Sequence, residues 1–271
     1  MKKLGFGMMR LPLLNEEDKK SIDKKTVCQM VDTFMERGFT YFDTAYMYHE
    51  YESERAMKDV LVTRKDRDSY TLASKLPVMQ LKEKEDMERI FNEQREKCGV
   101  EYFDYYLLHA LDAEHYKTVK RLDCFGFAMQ KKAEGKVKHV GFSFHDSAEV
   151  LDQILTEHPE AEFVQLQLNY LDWEDAKVQS RKCYETAVKH GKKVVVMEPV
   201  KGGTLAKLPK KAEDVLKALH PDWSAASWAI RFVASLENVM VVLSGMSTPE
   251  QMDDNTCLLY TSDAADDTPC V

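Results

Sequence analysis

Three apolar stretches of this chain each stop at a group that can carry a proton or a charge. Residues 38–50 read Gly38-Phe-Thr-Tyr-Phe-Asp43-Thr-Ala-Tyr-Met-Tyr48-His-Glu, an aromatic and β-branched run that halts at Asp43 and meets Tyr48 in the polar turn beyond. Tyr70-Thr-Leu-Ala-Ser-Lys75 closes on a lysine, and Tyr102-Phe-Asp-Tyr-Tyr-Leu-Leu-His109 closes on a histidine. A carboxylate, a phenol, an amine and an imidazole gathered on one rim could hold and transfer a proton. Taken singly, Asp43 reads as a strand-end cap, Tyr48 as a loop aromatic and His109 as a core histidine. The joint pattern argues for chemistry.

These side chains can meet only if parallel neighbouring elements deliver them. Strand-like runs recur at 4–8, 40–43, 70–75, 103–108, 137–143, 163–168, 193–197 and 239–243. Between them lie helical stretches such as 25–37, where Val27, Met30, Val31 and Phe34 fall at helical spacing, and 84–98 and 178–190 read the same way. Gly38, Gly99, Gly135 and Gly191 follow helical stretches as C-terminal caps leading into a strand. Eight strands, each followed by a helix, predict an α/β fold with a helix-covered parallel sheet. A repeat of roughly 30 residues suits a (β/α)8 TIM barrel better than a doubly wound sheet. No GxGxxG follows a strand, which counts against a dinucleotide-binding open sheet. In such a barrel reactive residues sit at the C-terminal ends of the strands, where Asp43, Lys75 and His109 fall.

The bulk composition of the 271 residues fits one large domain, with 44% hydrophobic and 31% charged residues. Its formal net charge of -8, with both signs interspersed, lacks the basic stripe of a nucleic-acid binder. No apolar run approaches the roughly 18 residues of a membrane helix, so no membrane partner is expected. Six cysteines without a CxxC pair suit reduced thiols in a cytoplasmic protein rather than a metal site. After Asn255 the helical periodicity stops. Residues 1–255 are therefore expected to form the barrel, truncated within its eighth helix, and 256–271 a non-native or disordered tail.

The set Phe42-Asp43-Thr-Ala-x-x-Tyr48, Ser74-Lys75 and Leu108-His109 resembles the catalytic tetrad of the aldo-keto reductases, and the likeness runs from Leu4 to Asn255. The resemblance implies an NAD(P)H-dependent oxidoreductase that reduces aldehydes or ketones, small-molecule carbonyl compounds, to alcohols. It implies that Tyr48 gives the proton, that Lys75 lowers the phenol's pKa, that Asp43 anchors Lys75, and that His109 steers the carbonyl. Gly7 and Met8, at the end of the first strand, join the cofactor residues by the same likeness. Ser143 of Val140-Gly-Phe-Ser143 resembles the family's donor to the nicotinamide carboxamide, although Phe144 stands where the family places asparagine. Gln165 resembles the carboxamide-binding glutamine, with Gln167 the alternative two residues on.

Further along, Met197-Glu-Pro199-Val200-Lys201-Gly202-Gly203 resembles the pyrophosphate-carrying loop, with Met197 where many relatives stack a tyrosine. There the double glycine lets backbone approach an anion and Lys201 adds charge. Ser244-Gly245-Met246-Ser247, with Gln251, Asp254 and Asn255, resembles the adenosine-binding loop and helix start. NADPH is the expected cofactor by the resemblance, but Gln251 replaces the family's arginine for the 2′-phosphate and Gly245 its lysine, which weakens the case for strong NADPH selectivity and admits NADH. These last segments look like the bacterial branch whose longer members append a ferredoxin-type cluster domain. That likeness supplies a second expectation, a nicotinamide-binding regulatory or redox-coupling module with little turnover, once joined to an iron-sulfur domain. Met8, Tyr46, Met47, Leu111 and Trp173 are expected to line an apolar mouth.

Overall fold

A computed structural model describes residues 2–260, the last three by their backbone alone. Eight parallel strands close into one barrel in strict sequence order: β1 Leu4–Gly7, β2 Tyr41–Asp43, β3 Thr71–Leu76, β4 Phe103–Leu111, β5 Val137–Phe144, β6 Phe163–Gln167, β7 Lys193–Met197 and β8 Val239–Ser244. The last strand pairs with the first through Leu4↔Val242, Gly5↔Leu243 and Phe6↔Ser244. The fold is a (β/α)8 barrel. The main helices on its outside are α1 Lys24–Glu36, α2 Ser53–Met57, α3 Lys84–Cys98, α4 Ala113–Leu122, α5 Cys124–Ala133, α6 Ala148–Glu157, α7 Ser180–Lys189, α8 Lys210–Leu219, α9 Ala225–Ala234 and α10 Pro249–Tyr260.

Two apolar layers follow from strand alternation, because successive side chains point to opposite faces. Inside the barrel lie Tyr41, Ala73, Leu107, Phe163, Val195, Val241 and Leu243. Outside, Phe6, Phe42, Leu72, Tyr106, Val140, Val164, Val194 and Val242 meet the helices. Gly141 makes room within this filling, since a Cβ there would run into the carbonyl and ring of Phe163. The four glycines read as helix caps all adopt positive φ, between 67° and 77°, a conformation that L side chains with a Cβ resist.

One expected boundary moves. Helix α10 does not stop at Asn255 but continues to Tyr260. Thr256 is fully buried, its hydroxyl hydrogen-bonds back to the Met252 carbonyl, and Arg37 of the α1 end donates to it. Arg37 also pairs with Asp253 at 2.7 Å, so a charge from the opposite end of the chain clamps this helix. Residues 261–271 of the expected tail lie outside the described residues. No helix among the described residues is long and apolar enough to cross a membrane.

Candidate active site

A cavity of about 880 Å³ opens at the C-terminal mouth of the barrel, lined by residues from β1, β2, β4 to β8 and the loops that follow. Lys75 lies beneath it, fully buried at the end of β3. Its ammonium donates to Asp43 Oδ1, to the Thr44 carbonyl at 2.8 Å and to the Tyr48 hydroxyl at 3.5 Å. Asp43 is 2% exposed. An uncompensated charge at such depth is very costly, so the two ions hold each other in place. Burial works against the ammonium, but Asp43 and Tyr48 outweigh it and raise the Lys75 pKa, which keeps Lys75 charged at neutral pH.

Tyr48 and His109 complete the group from above. Their rings meet edge to face at 5.9 Å, and both line the cavity. His109 sits within a bulge, where the β4–β5 register shifts between Leu108 and Leu111 and Ala110 takes φ 55°. Bulges re-aim side chains beside functional sites. The Ala110 amide donates to Ser143 Oγ at 2.7 Å, which ties the bulge to β5. Burial first, then the charge of Lys75, lowers the His109 pKa from 6.5 to about 3, so its imidazole is neutral.

The Tyr48 phenol departs from the sequence expectation. Burial raises its pKa, Lys75 pulls it down and Asp43 pushes it up again, and the sum lies above 10.0 rather than below. Desolvation of a phenolate at this depth outweighs one ammonium at 3.5 Å. Tyr48 therefore carries its proton throughout the neutral range.

A polar layer that the sequence did not announce supports β3 from behind. The fully buried Glu54 of α2 accepts from Ser74 at 2.7 Å and from Gln94 at 2.6 Å. Gln94 also donates to the Lys75 carbonyl at 3.0 Å and accepts from Tyr106 at 2.7 Å. Burial raises the Glu54 pKa. Glu54 sits in a run of surface-like acids, Glu50 to Glu54, and only its depth distinguishes it.

The remaining expected residues divide between cavity and core. Gly7, Ser143, Gln165, Met197, Pro199, Val200, Gly202, Gly203, Ser244, Gly245, Ser247, Gln251, Asp254 and Asn255 all line the cavity. Met8 and Met246 do not. Both are fully buried in the outer core, because their side chains fall on the helix-facing side of the turn after β1 and of the loop after β8. Lys201 is also absent from the lining, and its ammonium is engaged by Asp172. Asp172 further accepts from Gln167 at 3.0 Å and Asn169 at 2.8 Å. Gln165 donates to Met197 Sδ at 3.6 Å, and its own Oε1 is buried with no partner.

The helix-start residues do double duty. Asn255 donates to Ser244 at 2.8 Å, Asp254 accepts from Ser224 at 2.7 Å, and Gln251 accepts from the Ser247 amide at 2.8 Å. Of the expected mouth residues only Met47 lines the cavity, and Met9 and Met79 join it instead. Tyr46 turns away to Glu93 at 2.5 Å, Leu111 is core, and Trp173 packs on Tyr184 and Phe232. Arg10, unnoticed in the sequence, lines the cavity as well.

The Aldo/keto reductase family profile matches residues 3–265. The chain belongs to the aldo/keto reductase family. Among solved structures it is similar to an aldo-keto reductase from Klebsiella pneumoniae in complex with NADPH, with a TM-score of 0.72, 17% identity, and 95% of this chain and 85% of that one covered. It is also similar to the holo form of an aldo-keto reductase from Bacillus halodurans, with a TM-score of 0.71, 19% identity, and 99% and 88% covered. An aldo/keto reductase from Brucella melitensis has a TM-score of 0.70 and 19% identity, with 94% and 88% covered. No curated protein matches this family member by sequence.

Proposed function

We propose that this protein reduces aldehydes or ketones to alcohols with NADPH, accepting NADH as well, and that Tyr48 gives the proton. One observation carries the reading: a fully buried ammonium, Lys75, is fixed by Asp43 and the Thr44 carbonyl with the Tyr48 hydroxyl at 3.5 Å on the cavity wall.

The lining suits a nicotinamide dinucleotide. The orphaned Gln165 Oε1 asks for a donor such as a carboxamide, while Gln167 is occupied by Asp172. Gly202 and Gly203 take φ 60° and 96°, and a Cβ on Gly203 would meet nothing within 4 Å, so bare backbone faces the space there. Such left-handed turns present backbone to anions. A bound nicotinamide supplies the hydride that reduces the carbonyl carbon.

The protein's own groups then handle the oxygen. As negative charge builds there, the neutral His109 imidazole orients the carbonyl and the Tyr48 phenol hands over its proton. Lys75, charged before and after, stabilises the phenolate left behind, and Asp43 holds the ammonium where it must act. The raised phenol pKa keeps the donor loaded between turnovers. Met9, Met47 and Met79 give the mouth soft, adaptable apolar walls, which favour an apolar carbonyl compound.

The test is Tyr48→Phe, which removes only the hydroxyl. Turnover should fall by about 10²–10⁴-fold while NADPH affinity stays within about twofold of wild type. Turnover kept within about threefold would refute Tyr48 as donor. Binding of nucleotide by the wild type with no reduction across a carbonyl panel would favour a non-catalytic module.

A further inference from the structure

Arg10 is the one permanently charged cation among the described residues that line the cavity, whose acids include Asp43, Glu198, Glu250 and Asp254. It ends the short turn Met8–Arg10 after β1 and spans two loops. Its stem lies against Gly245, where a Cβ would sit 3.4 Å from the Arg10 Cβ and Cδ. Its guanidinium reaches over Gly202, with Nη2 3.3 Å from the place a Cβ would take. Its carbonyl accepts from the Ser247 hydroxyl at 2.7 Å, which pins the backbone to the loop after β8. Among the described residues the guanidinium itself makes no hydrogen bond or ion pair.

The lysine expected beside the double glycine is already committed. Lys201 gives its ammonium to Asp172, a carboxylate 3% exposed that also gathers Gln167 and Asn169. Glu198 Oε2 stands 3.9 Å from the same Gly202 position. A diphosphate against this glycine would meet a carboxylate flank, and Arg10 is the cation placed to offset it. A guanidinium fork matches the oxygens of phosphate better than an ammonium does.

We propose that Arg10 clasps the cofactor pyrophosphate from the β1 side, bridging the Gly202-Gly203 turn and the Gly245 loop in the place assigned by sequence to Lys201. Because pyrophosphate is common to both nucleotides, Arg10 serves NADPH and NADH alike. This rests on the nicotinamide-dinucleotide reading of the cavity.

The experiment measures dissociation constants for NADPH and NADH by fluorescence titration on wild type, Arg10→Met and Arg10→Lys, with melting midpoints as a fold control. Arg10→Met should weaken both nucleotides by about tenfold or more, the loss of one charge-assisted contact, and leave the midpoint unchanged. Arg10→Lys, which keeps the charge without the fork, should fall between. Binding by Arg10→Met within about twofold of wild type for both nucleotides overturns the proposal alone. A loss confined to NADPH also overturns it, since the guanidinium would then serve the 2′-phosphate. A wild type that binds neither nucleotide removes the dinucleotide reading and the proposal together.

Discussion

The two sides of the barrel mouth solve opposite problems. On the β2–β4 side, the ions are buried and mutually engaged: Lys75 on Asp43 and Thr44, with Glu54, Ser74 and Gln94 bracing the strand behind. On the β7–β8 side, the wall is loop backbone, with Glu198, Lys201, Gly202 and Gly203 all at positive φ and Arg10 reaching across. The first side must hold charges in fixed positions where water is scarce. On the proposed reading the second admits and releases a large anion, with backbone and an exposed arginine to hold it. Chemistry, on that reading, sits on the ion-paired side and exchangeable binding on the open one.

Breaking the ion-paired side should do the most damage. Lys75→Met leaves Asp43 buried without its partner and should cost about 3–5 kcal/mol of stability along with nearly all turnover. Urea unfolding checks this, and a variant as stable as wild type would show that the pair is not desolvated. Asp43→Asn combined with Lys75→Met should recover part of the stability but none of the activity.

Acid should expose the same side. His109 is held to about 3 by burial and by Lys75, against 6.5 when free. Below pH 6.5 the unfolded chain takes up a proton that the folded one refuses. Stability from this site is thus complete above 6.5 and declines as pH falls towards about 3, by up to about 1.4 kcal/mol per pH unit. His109→Gln should flatten that part of the stability profile and lower kcat more than it changes KM. An unaltered acid slope would mean that the imidazole titrates normally in the folded state.

The open side should respond more gently. Gly203→Ala adds a methyl where φ is 96° but no atom stands within 4 Å, so it strains backbone without a clash. The expected cost is about 1–3 kcal/mol, seen as a lower melting midpoint and weaker nucleotide binding. Gln251→Arg gives up a hydrogen bond to the Ser247 amide and adds a cation at the helix start. It should shift the NADPH to NADH affinity ratio by about tenfold towards NADPH with little effect on melting, and an unchanged ratio would place the 2′-phosphate elsewhere.

The strands were legible because a parallel barrel buries them on both faces, so each reads as an apolar run punctuated by a cap glycine. The structure keeps all eight within a few residues of expectation, and Gly38, Gly99, Gly135 and Gly191 take the predicted left-handed caps. Asp43, Lys75 and His109 were visible as ionisable ends to those runs, and strand order brings them to one mouth with Tyr48. Side chains on loops were harder. Met8 and Met246 turned into the core, Met9 and Met79 faced the cavity, and Thr256 proved to be packed helix rather than tail. A loop residue's direction depends on contacts distant in sequence, such as Arg37 with Asp253.

The sequence alone determined the barrel and the kinds of groups at its rim, because strand period, helix period and glycine caps are local properties of the chain. Tertiary structure decided how the charges pair. It set Lys201 against Asp172 and left the Arg10 guanidinium facing the cavity, and it made burial prevail over Lys75 at the Tyr48 phenol. Those outcomes depend on distance and on the exclusion of water, and both arise only when segments far apart in sequence meet.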